Sequence, residues 1–463
     1  MNKTTHTLSL SEGDLNRLML RFSLPCILSL LISSLYNILD QMFIGNSELS
    51  TLGNAATGVV FPVFIIAQAF AWCFGDGCAA CLNIWQGKND AQRAHRVLGN
   101  SIAASFLSGL LMIAVIYPLK VPILTLFGAT ENTLAFAIEY LNIILAAIPI
   151  YILCNMMNSI IRADGSPTFA MLSMLLGAVT NIILDPVFIF GLDMGMTGAA
   201  LATVIGQGVT FVLTLWYFTK TKTFKLTLKS FALRPRALGE VMGLGVSTFI
   251  TQIAIVVVAI LSNVQFSKYG ALSSYGADVP IAIIGIQSKI FTLVLNLVVG
   301  VALGCQPIVS YNMGAGNTAR VRALYKKILM LTLATGLFFT LLFELIPGAI
   351  LGMFGVPSNI PNPEDYWRFG KLAMRIFLSL TAIACVIKMN SIFFQAAGKP
   401  IAALVASTMR DVVCFVPLMF IFPLFSTSIE VLLFAAPLAD LLAGIVTVGL
   451  CISFLRSLKP KAK

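Results

Sequence analysis

An all-α polytopic membrane fold, with twelve spanning helices in two pseudo-symmetric six-helix lobes, follows from three observations. The 463 residues are 58% hydrophobic and only 11% charged, with a mean hydropathy of +0.93, against about 25% charged residues in a soluble domain. Apolar runs of roughly 20 residues or more recur along the whole length, each long enough to cross a hydrocarbon core of about 30 Å as a helix. Short segments of the first half also return, in the same order, in the second.

The first-half spans are read at 18–44, 54–85, 95–118, 133–161, 168–190 and 196–219. The second-half spans are read at 238–266, 279–310, 319–345, 367–395, 401–424 and 429–455. Residues 1–219 are therefore expected to form an N-terminal lobe and 237–463 a C-terminal one, joined by a cytoplasmic linker over 220–236. That linker, KTKTFKLTLKSFALRPR, is too basic to span and reads as a solvated loop.

A net charge of +11 raises the question of nucleic acid, and the placement of the basic residues answers it. Of the 30 Lys and Arg, 22 lie in the two terminal tails and the loops after spans 2, 4, 6, 8 and 10. The alternate loops hold five, namely Lys120, Lys268, Arg368, Lys371 and Arg375. This is the positive-inside pattern; it predicts a multi-pass protein of the plasma (inner) membrane with both termini cytoplasmic, and no nucleic-acid partner. The polar first 17 residues and the long first span predict no cleaved signal. Nine cysteines are scattered through apolar runs, where Cys packs as a small hydrophobe. Cys73, Cys78 and Cys81 mimic an iron–sulfur spacing, but no fourth Cys lies near and no cofactor is expected.

The repeat is carried by residues at corresponding helix ends. Gly77-Cys78, Gly87, Arg93 and Phe127-Gly128 recur at one constant offset as Gly304-Cys305, Gly314, Arg320 and Phe354-Gly355. After a short insertion, Arg162-Ala-Asp-Gly165-Ser-Pro167 returns as Gln395-Ala-Ala-Gly398-Lys-Pro400. An even number of spans per half starts both halves on the same side, so the repeats are parallel, a plan that places a substrate path between them.

Polar residues inside the spans are the candidates for transport. Asp40 lies deep in span 1, with Ser33, Asn37 and Gln41 spaced by four on one helical stripe beside it. An Asp at the centre of a membrane helix costs about 2.5–3.5 kcal/mol on insertion scales, so it needs a partner or a purpose. Span 5 offers one in Asn181 and Asp185, one turn apart, followed by Pro186, which removes the N–H that the Ile182 carbonyl would otherwise accept. Two carboxylates, an amide oxygen and Thr203 of span 6 suit a hard cation such as sodium on Asp40, Asn181 and Asp185. They suit a proton equally, because burial and a second acid nearby both favour the protonated form. Helix-gluing hydrogen bonds are the alternative role for these acids. Lys289, Lys388 and Arg410 fall inside spans 8, 10 and 11, with Asp411 and Asp440 as counterions, and read either as an ion-pair network or as a substrate-orienting wall. Asp76 reads as a gate residue or a group facing water, and Met156-Met157 beside Asn155 and Asn158 would suit an adaptable cavity.

Pro25, Asn37, Asp40 and Gly45, the Arg162–Pro167 turn, Asn181 with Asp185-Pro186, and Gly198-Ala-Ala-Leu-Ala-Thr203 together carry a resemblance. From span 1 to span 12 the chain resembles the multidrug and toxic compound extrusion family, in its bacterial and archaeal branch. The resemblance implies a monomeric antiporter that exchanges drugs or metabolites for protons or sodium ions, with no other cofactor and a cavity between two lobes. It also implies that Asp40, Asn181, Asp185 and Thr203 form the coupling site and that span 1 bends at Pro25; from the residues themselves, Asn37, Gln41, Asn155, Asn158, Lys289 and Lys388 are read as facing substrate and Pro186 as a second bend. Some members keep acids in spans 7 and 10 for a second-lobe cation site; Gln252, Gln265 and Lys388 stand there instead, so coupling should be confined to the first half.

Other functions fit less well. No Gly-x4-Gly-Lys-Ser/Thr loop supports an ATP-driven pump. An intramembrane enzyme would need clustered nucleophile and base, and His6 and His95 both lie outside the spans. A lipid-linked sugar flippase of the same superfamily is the nearer alternative, against which twelve spans rather than fourteen argue.

Overall fold

The computed structural model describes residues 10–47, 50–224, 228–276, 278–355 and 363–458, and among these there is no β-strand. The first half comprises α1 (Leu15–Gly45), α2 (Ser50–Gly87), α3 (Ala91–Ile116), α4 (Glu131–Ala163), α5 (Pro167–Pro186) and α6 (Gly195–Phe218). The second half comprises α7 (Pro235–Ala271), α8 (Asp278–Gly314), α9 (Thr318–Leu345), α10 in two pieces (Pro363–Phe377 and Thr381–Ala396), α11 (Pro400–Thr408, resuming at Val416–Phe425) and α12 (Ile429–Leu433 and Ala435–Ser457). Eleven of these elements are single runs long and apolar enough to span, and the two pieces of α10 make the twelfth across a 49° bend.

Exposed apolar side chains supply the membrane-facing surface. On α9, Met330, Leu337, Phe338, Leu341 and Leu345 are all exposed, a helical stripe that water would not tolerate in a soluble domain. The α10 break has no proline. Ser379 and Thr381 hydroxyls instead donate to the carbonyls of Ile376 and Leu378, competing with the helix's own N–H groups, and the Ala382 N–H donates to Thr340 Oγ1 at 3.2 Å. A continuous tenth span was the expectation; these local bonds are the physical reason it is broken. Pro25 does not interrupt α1, which runs as one helix from Leu15 to Gly45.

Two compact units are distinguished, Met1–Gln252 with Leu303–Asn317 and Gln395–Pro400, and Ile253–Ala302 with Thr318–Phe394 and Ile401–Lys463. Within the first, α2 and the end of α8 cross at Gly87 and Gly314. A Cβ on Gly87 would collide with the Tyr311 carbonyl oxygen, and one on Gly314 with that of Ile84. The contact is reciprocal, since Tyr311 and Gly314 occupy the repeat positions of Ile84 and Gly87. The repeat is equally visible in the turns: Gly165 and Gly398 take φ of 80° and 70°, and Asn89 and Gly316 take 60° and 76°. Left-handed backbone at matched sites is what small or amide residues tolerate. Two short helices, Lys120–Leu126 and Pro347–Gly352, also occupy matched positions and were not foreseen from sequence.

The joint between the halves departs from expectation. Residues 220–224 and 228–234 are not a loosely solvated loop, because two buried side chains tie them down. Asp164, in the α4–α5 turn, accepts from Tyr217 Oη at 2.7 Å, from the Lys222 and Thr223 N–H groups at 2.8 Å each, and from Thr223 Oγ1. Asn100 of α3 donates to the carbonyls of Ser230 and Ala232 and accepts the Arg234 N–H. Burial pushes the Asp164 carboxyl above its usual range, while these hydrogen bonds favour its charged form. Asp164→Ala is expected to strand several buried donors at about 1–3 kcal/mol each and to free the strand 220–224. Trypsin should then cut at Lys220 and Lys222 faster than in the parent protein; an unchanged cleavage rate would contradict the clamp.

Candidate functional site

The first half brings Asp40, Asn181, Asp185 and Thr203 together. Glycines make this possible: a Cβ on Gly177 of α5 would overlap Thr210 Oγ1 and the Gly206 carbonyl of α6, so only small residues let these helices touch. Just before Thr203, the buried Ala199 and Ala200 pack α6 into an apolar cluster with Ile44, Tyr140 and Ile144. Asn181, one turn before Asp185, donates its amide to Asp185 Oδ1 at 3.2 Å and reaches Thr203 Oγ1 at 3.5 Å. Asp40 of α1 faces Asp185 closely enough for each carboxyl to act on the other.

Among the described residues, three acceptor oxygens in this pocket have no donor: Asp40 Oδ1, Asn181 Oδ1 and Asp185 Oδ2, all sealed from solvent. Buried acceptors are nearly always satisfied, and two carboxylates that close repel unless something positive lies between them. A proton or a small hard cation would meet both demands.

Not all of the predicted stripe joins the pocket. Asp40 is buried, whereas Asn37 and Gln41 are exposed; Asn37 donates to the Ser33 carbonyl and Gln41 to Thr57 Oγ1. The inward row of α1 is Tyr36, Asp40 and Ile44, one residue away from the row of Asn37 and Gln41. Tyr36 was missed, although its place four residues before Asp40 could have indicated it. Tyr140 of α4, buried near Thr203, left no local signal.

Next to Asn181 and Thr203 lies a small, partly open cavity of about 80 Å³, lined by Ser33, Tyr36, Gln68, Asn155, Asn158 and Gln207 among others. Asn155 and Asn158 thus line it from α4, while Met156 and Met157 are buried in packing. Pro186 closes α5, and the chain continues as a π-helical turn over Val187–Gly191. Asp76 does not face water: it is buried, pairs with Arg162 Nη2 at 3.3 Å and accepts from Ser159 Oγ at 2.8 Å, while Gln306 donates to its carbonyl. Lys289 is exposed and Lys388 half-buried, and neither forms an ion pair within 4.0 Å among the described residues. Arg410 alone of the three cations is paired, to Asp411 at 2.7 Å and Asp440 at 2.5 Å.

The MatE family profile matches residues 25–187 and 246–421, most of both halves. The chain belongs to the MatE family. It is a membrane transporter of twelve-helix fold and not an enzyme. A multidrug export protein, MepA, of Staphylococcus aureus is 30% identical over 315 residues, 67% of each chain. The match spans about two thirds of the length of such relatives. Two solved structures share the fold: a MOP superfamily transporter from Pyrococcus furiosus at 24% identity and a TM-score of 0.88, covering 98% of this MatE chain and 99% of the other, and an outward-facing multidrug resistance MATE family transporter at 23% and 0.87, covering 98% of each.

Proposed function

We propose that this MatE transporter is a secondary active exporter that exchanges amphipathic or cationic drugs or metabolites for protons bound at Asp40 and Asp185. The observation that carries this reading is the closeness of two buried carboxyls amid three acceptor oxygens that lack donors among the described residues. A proton between the acids removes their repulsion, and its release to one side and capture from the other would alternate the pocket between two charge states. The cavity next to Asn181 and Thr203 puts substrate and proton within reach of each other, so each can bias the other's binding. Relatives named as multidrug export proteins support the substrate class.

Sodium is the second reading, favoured by the oxygen-only set of Asp40, Asn181, Asp185 and Thr203. The transporter would work as a monomer in the plasma membrane, with both termini cytoplasmic and two lobes joined at 220–236, and span 1 would move about Pro25. The energetics suffice: one charge crossing about 150 mV yields about 3.5 kcal/mol, over two decades of substrate gradient. Proteoliposomes loaded with a fluorescent cationic dye, and given a proton or a sodium gradient separately, test the proposal. Dye movement should follow the proton gradient; movement driven only by sodium would assign the site to sodium, and movement driven by neither would end the antiport reading.

A further inference from the structure

We propose that Lys388 is the binding site for the anionic group of zwitterionic substrates, molecules that carry a carboxylate or similar anion together with a cationic part. The inference deepens the exporter reading and rests on it.

The internal repeat locates the site. Lys388 precedes Gln395 by seven residues of unbroken helix, as Asn155 precedes Arg162. Arg410 and Asp411 follow Pro400 by ten and eleven residues, as Gly177 and Ala178 follow Pro167. Asn155, Gly177 and Ala178 all line the first-half cavity. Where the first half builds a cavity wall from an amide and two small residues, the second half places an ammonium, a guanidinium and a carboxylate.

These three charges are not equally available. Arg410 is fully engaged, with Nε on Asp440 at 2.5 Å, Nη1 on Asp411 at 2.7 Å, and its guanidinium 5.0 Å from the Phe291 ring centroid. The π-helical turn Met409–Phe415, just ahead of Pro417, is what carries Arg410 and Asp411; such turns recur at functional positions. Lys388 is different. It is half-buried, and among the described residues it makes no hydrogen bond and no ion pair within 4.0 Å. A lysine at membrane depth is costly unless it meets an anion or lines a watery cavity.

Charge balance selects the ligand. Arg410, Asp411 and Asp440 carry one net negative charge, and Lys388 brings the group to neutrality without touching any of them. A free anion would upset that balance and a free cation would be repelled by the ammonium. A zwitterion keeps it, with its anion on Lys388 and its cationic part toward the Asp411 carboxylate, whose side chain is 20% exposed.

The test compares rhodamine B, a zwitterion, with its ethyl ester, which keeps the cation and lacks the carboxylate. Binding to the purified transporter in nanodiscs is read by fluorescence anisotropy for the parent chain, Lys388→Gln and Lys388→Arg. Loss of a charge-assisted contact should weaken rhodamine B at least about tenfold in Lys388→Gln while the ester changes less than about twofold, and Lys388→Arg should retain the preference. Equal loss of both dyes, no loss of either, or a parent chain that binds only the ester would overturn the lysine site. A parent chain that binds neither dye and exports neither would instead bring down the exporter reading itself.

Discussion

Asp40→Asn and Asp185→Asn transporters reach the membrane at parental level and export drug at least about 100-fold more slowly under a proton gradient, a loss of roughly 2.7 kcal/mol. The substitution keeps the size of the side chain and its capacity for hydrogen bonds, so packing among α1, α5 and α6 survives. What disappears is the second acid. Asn cannot take up or release a proton, and the remaining carboxylate no longer has a partner whose repulsion a proton relieves. Both positions should fail, because each carboxyl lies within the field of the other and the proposed proton site needs both. The measurement is drug uptake into everted vesicles, normalised to transporter content by quantitative immunoblot. Parental rates in both single variants would reduce the pair to helix glue.

Arg410→Met is the change expected to damage stability most. It removes the guanidinium that holds Asp411 and Asp440 and leaves two acids facing each other, one of them only 2% exposed. Removing one partner of a buried charge pair costs about 3–5 kcal/mol, because the other charge is left in a medium that cannot solvate it. The purified variant should unfold at markedly lower temperature in a size-exclusion thermostability assay. Adding Asp440→Asn to Arg410→Met should recover part of the loss, since it withdraws the stranded charge. A single variant as stable as the parent would show that water reaches these acids freely.

The two predictions draw on different halves, and that asymmetry is itself a result. The first half holds Asp40 and Asp185 in one pocket with an oxygen of each left without a donor among the described residues, which is an arrangement for binding something positive. The second half holds Asp411 and Asp440 against Arg410, a cation supplied by the chain, so one of their two negative charges is met within the group itself. The turns match between the halves in backbone geometry, as Gly165 and Gly398 show, while the buried charges do not.

The twelve spans, the repeated turns and the polar interruption of two spans by Asp40 and Asp185 were legible in the linear order of residues. Hydropathy over about 20 residues is a property of the local chain, as are the one-turn spacing of Asn181 and Asp185 and the cost of a carboxylate in an apolar run. Tertiary packing decided the rest, because it joins groups that the chain keeps far apart. Asn37 and Asp40 sit three residues apart, yet only rotation of α1 against its neighbours turned one outward and the other into the pocket. Asp76 read as a gate residue or a group facing water until Arg162, 86 residues later, was folded onto it. The basic joint looked solvated until Asp164 and Asn100 captured its backbone. Local sequence determines what each helix is; which of its faces is inward depends on the shape of every helix beside it.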